Sequence, residues 1–174
     1  MTILQKGSFE LNLGIIKLGA DLSELDRQCA WELYTELSTR VACTGKSSDS
    51  EATNFDGELY IESLESLYRF FQESRGIMRK FPVGRLTKAD KNHFGVIISS
   101  MITGVLRPFL ELWQAEYRHW WDAQSNPRVP PLQRQREFPK LADFLNDWTA
   151  VRLLLRGLQA RLVEVYDLVE VDRR

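Results

Sequence analysis

Two histidines set the outer limit of the acid–base and metal chemistry open to this chain. Each closes a carboxylate–imidazole spacing: Asp90 to His93 reads DxxH and Glu116 to His119 reads ExxH, the interval that puts both groups on one helix face, as at di-iron sites. The two pairs stand 26 residues apart. Along an unbroken helix that is about 39 Å, so they share a site only if the chain folds back at Pro108. No further histidine completes a ligand set, and the sequence predicts neither a metal nor a cofactor. A nucleophile with an adjacent base cannot be assembled from two histidines and the available serines, so no catalytic residue is assigned. The segment TGKSS ends in the GKS of a phosphate-binding loop, yet Arg40 occupies the position of the first glycine, and a helix precedes it where a strand is required.

Phosphate chemistry has a second entrance. A HEPN-like helical nuclease, of the two-helix nucleotidyl-binding type, pairs an arginine with a histidine after four to six residues. Here Arg85 and His93 have seven between them, and Arg85 falls in a loop. If the chain binds nucleic acid or acts on it, the polar residues available are Arg85, His93, Arg107, Arg118 and His119. A different constellation follows them: Trp113, Tyr117, Trp120 and Trp121 crowd one helix end, and Arg128, Arg134, Arg136 and Lys140 lie in the proline-rich stretch behind it. Aromatics beside arginines suit single-stranded nucleic acid, and they equally suit a protein interface. Helical spacing of Trp113, Tyr117 and Trp120 also fits plain core packing, with Trp121 left to point elsewhere.

Composition narrows the classes. A chain of 174 residues, 44% hydrophobic and 27% charged, with ten glycines and six prolines, is sized for one globular domain, 1–174. Its net charge of -1 gives no global attraction to nucleic acid or to an anionic membrane. The start MTILQKGSFELN lacks the charged and apolar regions of a signal peptide, and the expectation is a cytoplasmic protein with no membrane span. Cys29 and Cys43 lie fourteen apart, about 21 Å along one helix, too far to bridge, and read as buried structural thiols.

The elements that position these groups are mainly helical. Alternating Phe9, Leu11, Leu13 and Ile15 predict a strand over 8–18, pairing with Thr2 to Leu4 as a small N-terminal β ribbon, 1–20, that packs on the helices or adds to a partner's sheet. Asp21 and Glu24 form a capping box for a first helix from Leu22 to Cys43, its inward face Leu22, Leu25, Cys29, Leu33, Leu37 and Val41. The polar TGKSSDSEATN is expected to be the most flexible loop. A second helix, Gly57 to Lys80, carries Leu64, Leu67, Tyr68, Phe71 and Met78 inward. A third runs from Thr87 to Asp122 around the charge-free NHFGVIISSMITGVL, which at about 23 Å falls short of a bilayer's roughly 30 Å core and reads as a helix packed on all sides. Pro108 predicts a kink near Val105. Gly95, Ser99 and Thr103 offer a narrow stripe for a close helix crossing, and the space beside Gly95 and Gly104 would suit a ligand pocket. After an ordered proline-rich crossing segment, a fourth helix from Leu141 to Val169, interrupted near Asn146, turns Leu154, Leu158, Leu162, Val165 and Val169 inward.

The segments ELDRQCAWELYTELSTRVA, ESLYRFFQESRGIMRK, FGVIISS and LRPFLELWQAEYRHWW together resemble a family of small bacterial helical proteins associated with conflict and defence operons. The likeness covers about two thirds of the chain, implies no known activity and carries over no catalytic residue, which adds modest weight to a partner-dependent role. The expectation is therefore an all-α, four-helix-type bundle with a long kinked central helix, serving as a non-enzymatic protein-binding adaptor. Its working surfaces would be the ribbon edge, the Trp120 and Trp121 helix end and the arginine-bearing loop, and a C2 homodimer is expected as the commonest closed assembly. A nucleic-acid-binding module and a small-ligand sensor are the alternatives.

Overall fold

The computed structural model describes residues 24–80, 94–124 and 128–169. The expected β ribbon, Asp21, Arg85, Asp90 and His93 lie outside them. Among the described residues the architecture is all-α, with no strand.

Helix α1 (Glu24–Thr39) opens with Glu24 and Asp26 in its first turn, where carboxylates meet the positive end of the helix dipole. It buries Cys29, Ala30, Leu33, Tyr34 and Leu37. The helix stops earlier than the apolar spacing predicts: Arg40 is extended, at φ -113 and ψ 105, and a single turn, α2 (Val41–Thr44), closes on Gly45 at φ 66, a left-handed value suited to glycine. Val41, expected inward, is exposed as a result, and so is Leu25, in the first turn of α1. Both cysteines are buried and free.

Helix α3 (Tyr60–Lys80) buries Tyr60, Leu64, Leu67, Phe70 and Ile77, with Tyr68, Phe71 and Met78 half-buried at the margin of the same core. Helix α4 (Phe94–Met101) passes without interruption through a π-helical turn, Ile102–Leu106, into α5 (Arg107–Ala123). The Arg107 N–H bonds the Ile102 carbonyl, one residue further back than an α-helix would allow. Pro108 explains the position of the wide turn: it has no N–H to return, and its ring would crowd the carbonyl four residues earlier. The sequence-predicted irregularity near Val105 is thus a widened turn inside a continuous helix.

That turn also corrects the picture of a helix packed on all sides. Ile97, Ile98, Met101, Ile102, Val105 and Leu106 face the core, whereas Val96, Ser99, Ser100, Thr103 and Arg107 are exposed. The small-residue stripe is therefore not a helix crossing: Gly95 is buried, Ser99 and Thr103 are not, and the Thr103 hydroxyl donates to the Ser99 carbonyl. The larger apolar side chains on the other face gain more from burial, at about 25 cal/mol per Å², and win it. By length and composition alone Gly95–Ala123 could cross a membrane, with 44% of its most apolar window buried. Its exposed residues include Val96, two serines, a threonine and the Arg107–Glu111 ion pair.

A short helix, α6 (Pro131–Arg134), and a 3-10 turn (Gln135–Glu137) make the crossing to α7 (Leu141–Tyr166), which runs unbroken past Asn146. Helix α7 buries Phe144, Trp148, Val151, Leu155, Leu158, Leu162 and Val165; Leu154 is half-buried and Val169, at 78%, lies in solvent beyond the helix. Helix α1 packs on α3 and α7, α3 on α5, and α5 on α7.

Polar side chains stitch this core. The Gln135 amide accepts from the Tyr60 N–H and donates to the Glu58 carbonyl, so the crossing segment caps the start of α3. The Trp113 indole donates to Asp147 at 3.0 Å and the Trp148 indole to the Ala42 carbonyl at 2.9 Å. Arg152 is 0% exposed, ion-paired to Glu58 at 2.6 Å, with its guanidinium 3.9 Å from the Phe55 ring centre. Burial pulls its pKa below the ordinary arginine value, and the Glu58 carboxylate opposes that shift. One turn on, Arg156 donates to the carbonyls of Thr44, Lys46, Asp49 and Ser50. Lys46 donates to Asn54 and to the Asp56 carbonyl, and the Asn54 backbone N–H holds the Asp49 carboxyl below its usual range. The segment expected to be the most flexible loop is consequently pinned to α7.

Candidate interaction site

The residues singled out by sequence divide sharply once placed. Trp113 is 3% exposed and Tyr117 0%, in an aromatic cluster with Phe138 and Phe144. Neither belongs to a surface, which corrects that part of the expected interface: the indole N–H of Trp113 is already used on Asp147, and the Tyr117 ring stacks on Phe144. Trp120 and Trp121 are half-buried beside them, Trp120 against Phe138 and Trp121 stacked on Tyr117 at 6.1 Å. Trp121 does turn outward, and Arg134 covers its ring at 3.4 Å while donating to the Gln124 carbonyl. Arg128 and Arg136 are exposed.

The polar candidates are not gathered by the described part of the fold. Arg107 pairs with Glu111, and that hydrogen bond raises its pKa. Arg118 lies eleven residues on, about 16 Å along α5. His119 is exposed beside Arg118, and Glu116, its expected partner, pairs with Lys140 instead. Among the described residues no group of three His, Cys, Asp or Glu side chains is placed to hold a metal ion.

What does converge is a groove of about 530 Å³ between α3 and α5, with Arg40 from the break after α1 at its side. Helix α3 supplies Ile61, Glu65 and Arg69 at intervals of four, one face of the helix, together with Glu62 and Ser66; α5 supplies Arg118, Trp121 and Asp122 from its last turns. The Glu65 carboxylate spans the groove, 3.5 Å from Arg69 and 3.3 Å from Arg118. These pairs are solvent-exposed, and such pairs contribute about 0–1 kcal/mol, so an incoming carboxylate can exchange with Glu65 at little cost. Three arginines face three acids around one aromatic edge, with Ser66 the only hydroxyl and no imidazole lining the groove. This arrangement can bind a segment of mixed charge.

Sequence reasoning found Trp121 and Arg118 but missed Arg40, Ile61, Glu65 and Arg69. The Glu65–Arg69 spacing of four was the available signal for a charged face on α3. Neither of the two grooves described touches Gly95 or Gly104. Comparison with protein-family models, with curated proteins and with solved structures finds no match to this chain.

Proposed function

We propose that this chain is a non-enzymatic protein-interaction module, an adaptor on a bundle of four main helices, within a bacterial multiprotein system of the defence type its sequence resembles. The supporting observation is the α3/α5 groove, where one tryptophan edge meets exposed, exchangeable ion pairs. Its occupant is a protein segment carrying both signs of charge, from a cytoplasmic partner or from a second copy in a C2 homodimer. A nucleic-acid-binding role is the weaker reading, because Glu62, Glu65 and Asp122 offset the three groove arginines.

Affinity purification from the native host at moderate salt tests this reading, with co-purifying proteins identified by mass spectrometry and nucleic acid by the 260-to-280 nm absorbance ratio. A protein partner or self-association in stoichiometric amount is expected, lost in Trp121→Ala and in Arg118→Glu while the helical circular dichroism stays unchanged. Nucleic acid recovered in a salt-sensitive manner without protein, or variants identical to wild type in recovery and mass, would overturn it.

A further inference from the structure

The C-terminal half of helix α3 borders a second groove, and a different chemistry lines it. Between α1 and α3 lies a groove of about 360 Å³ whose walls include Trp31, Glu32, Glu36, Glu73 and Lys80, over a floor of Gly76 and buried Ile77. Three carboxylates face one ammonium. Lys80 offsets Glu32 at 3.4 Å, and Arg40 offsets Glu36, which leaves Glu73, exposed, as the groove carboxylate with no ion pair among the described residues. Trp31 is 37% exposed, an uncommon state for an indole, its ring stacked on Tyr34 at 5.6 Å so that its position is fixed. An indole face beside a free carboxylate is a receptor for a cationic side chain, which gains both the ring quadrupole and the ion pair.

Gly76 is an independent pointer. It sits in the interior of α3, where glycine costs roughly 0.5–1 kcal/mol relative to alanine. No left-handed backbone angle demands it, and a Cβ built there meets nothing within 4 Å. The fold itself therefore has no packing use for the glycine. Its effect is to keep the floor of the groove open to the approach of another chain.

We infer that the α1/α3 groove is a docking site for one arginine or lysine side chain of a protein partner, its aliphatic stem over Gly76 and Ile77, its cationic head between Trp31 and Glu73. The site lies further along α3, past Arg69, shares no lining residue with the α3/α5 groove, and stands whether or not that groove binds protein.

The test uses a fluorescent peptide of alternating alanine and arginine, read by anisotropy at low and high salt, with the alanine–glutamate peptide as control. The arginine peptide is expected to bind and the glutamate peptide not. Glu73→Lys and Trp31→Ala should each weaken binding about tenfold or more, the equivalent of roughly 1.4 kcal/mol. Gly76→Phe is the decisive variant, since it fills the groove while leaving the helix as stable as before or more so. It should abolish binding at an unchanged or raised melting temperature, whereas Arg118→Glu in the other groove should not weaken it. Absence of binding by wild type, or equal binding by Gly76→Phe and Trp31→Ala, would show general charge attraction or none, and would overturn the assignment.

Discussion

Arginines appear in this molecule in two settings, one turned into the protein and one open to solvent. Arg152 and Arg156, four apart on α7, point into the protein, one onto Glu58 and the other onto four backbone carbonyls of the polar loop. Arg69, one turn along α3, and Arg118, from across the α3/α5 groove, meet at a single exposed carboxylate, Glu65. The same guanidinium is a structural rivet where water is excluded and an exchangeable contact where it is not, because desolvation decides what removing a partner costs. The comparison separates the part of the charge that maintains the fold from the part free to meet another molecule.

Breaking the buried setting should have the largest effect. Arg152→Ala strands the Glu58 carboxylate and is expected to lower unfolding free energy by about 3–5 kcal/mol in urea denaturation. Glu58 Oε1 and Arg152 Nη1 are both buried without a hydrogen-bond partner, so replacing the pair together, as Glu58→Leu with Arg152→Met, should cost less than the sum of the single changes. A sum that simply adds would mean the two residues act independently.

Arg156→Ala comes next. Losing a charged donor to loop carbonyls is expected to cost about 2–3 kcal/mol and, more specifically, to speed hydrogen exchange across 45–56 while exchange in the middle of α7 stays slow. Uniform acceleration would show that the loop and the helix open as one unit. The smallest effect belongs to the surface setting: Arg118→Ala should change stability by less than about 1 kcal/mol, read by thermal melting, while reducing partner recovery. A large loss of stability there would erase the distinction between the two arginine sites.

How much of this was legible in the sequence follows from the same physics. Apolar periodicity found the helices, and the proline placed the irregularity in the central one, because burial and a missing N–H are local consequences of residue type. Periodicity failed at Val41 and Val169, where continuing a stripe assumes a helix that has already stopped, and at Leu25, in the first turn of α1. It also passed over Arg152, which lies one turn after Trp148 on an otherwise inward face; a charge on such a stripe signals a buried pair, though its partner Glu58, 94 positions away, is fixed only by tertiary structure. The loop at 44–54 was misread for a related reason. Serine, threonine and glycine suggest freedom until the arginine that holds the loop's carbonyls is known. The aromatic helix end was found and then divided, since spacing alone does not say how far around the helix the core reaches.

The widened turn at Ile102–Leu106 has a bearing on how this chain can change in length. A π turn holds one residue more than the α-helical turn it replaces, so the faces before and after it are already aligned around an extra position. Removing one residue there, with Pro108→Ala to relieve the ring, leaves Ile98 on one side and Trp113 and Tyr117 on the other still facing the interior. Removing or adding a residue anywhere else in the same helix turns everything beyond it by about 100° and carries those rings out of the core. The central helix is thus intolerant of length variation along nearly all its course and tolerant at one point.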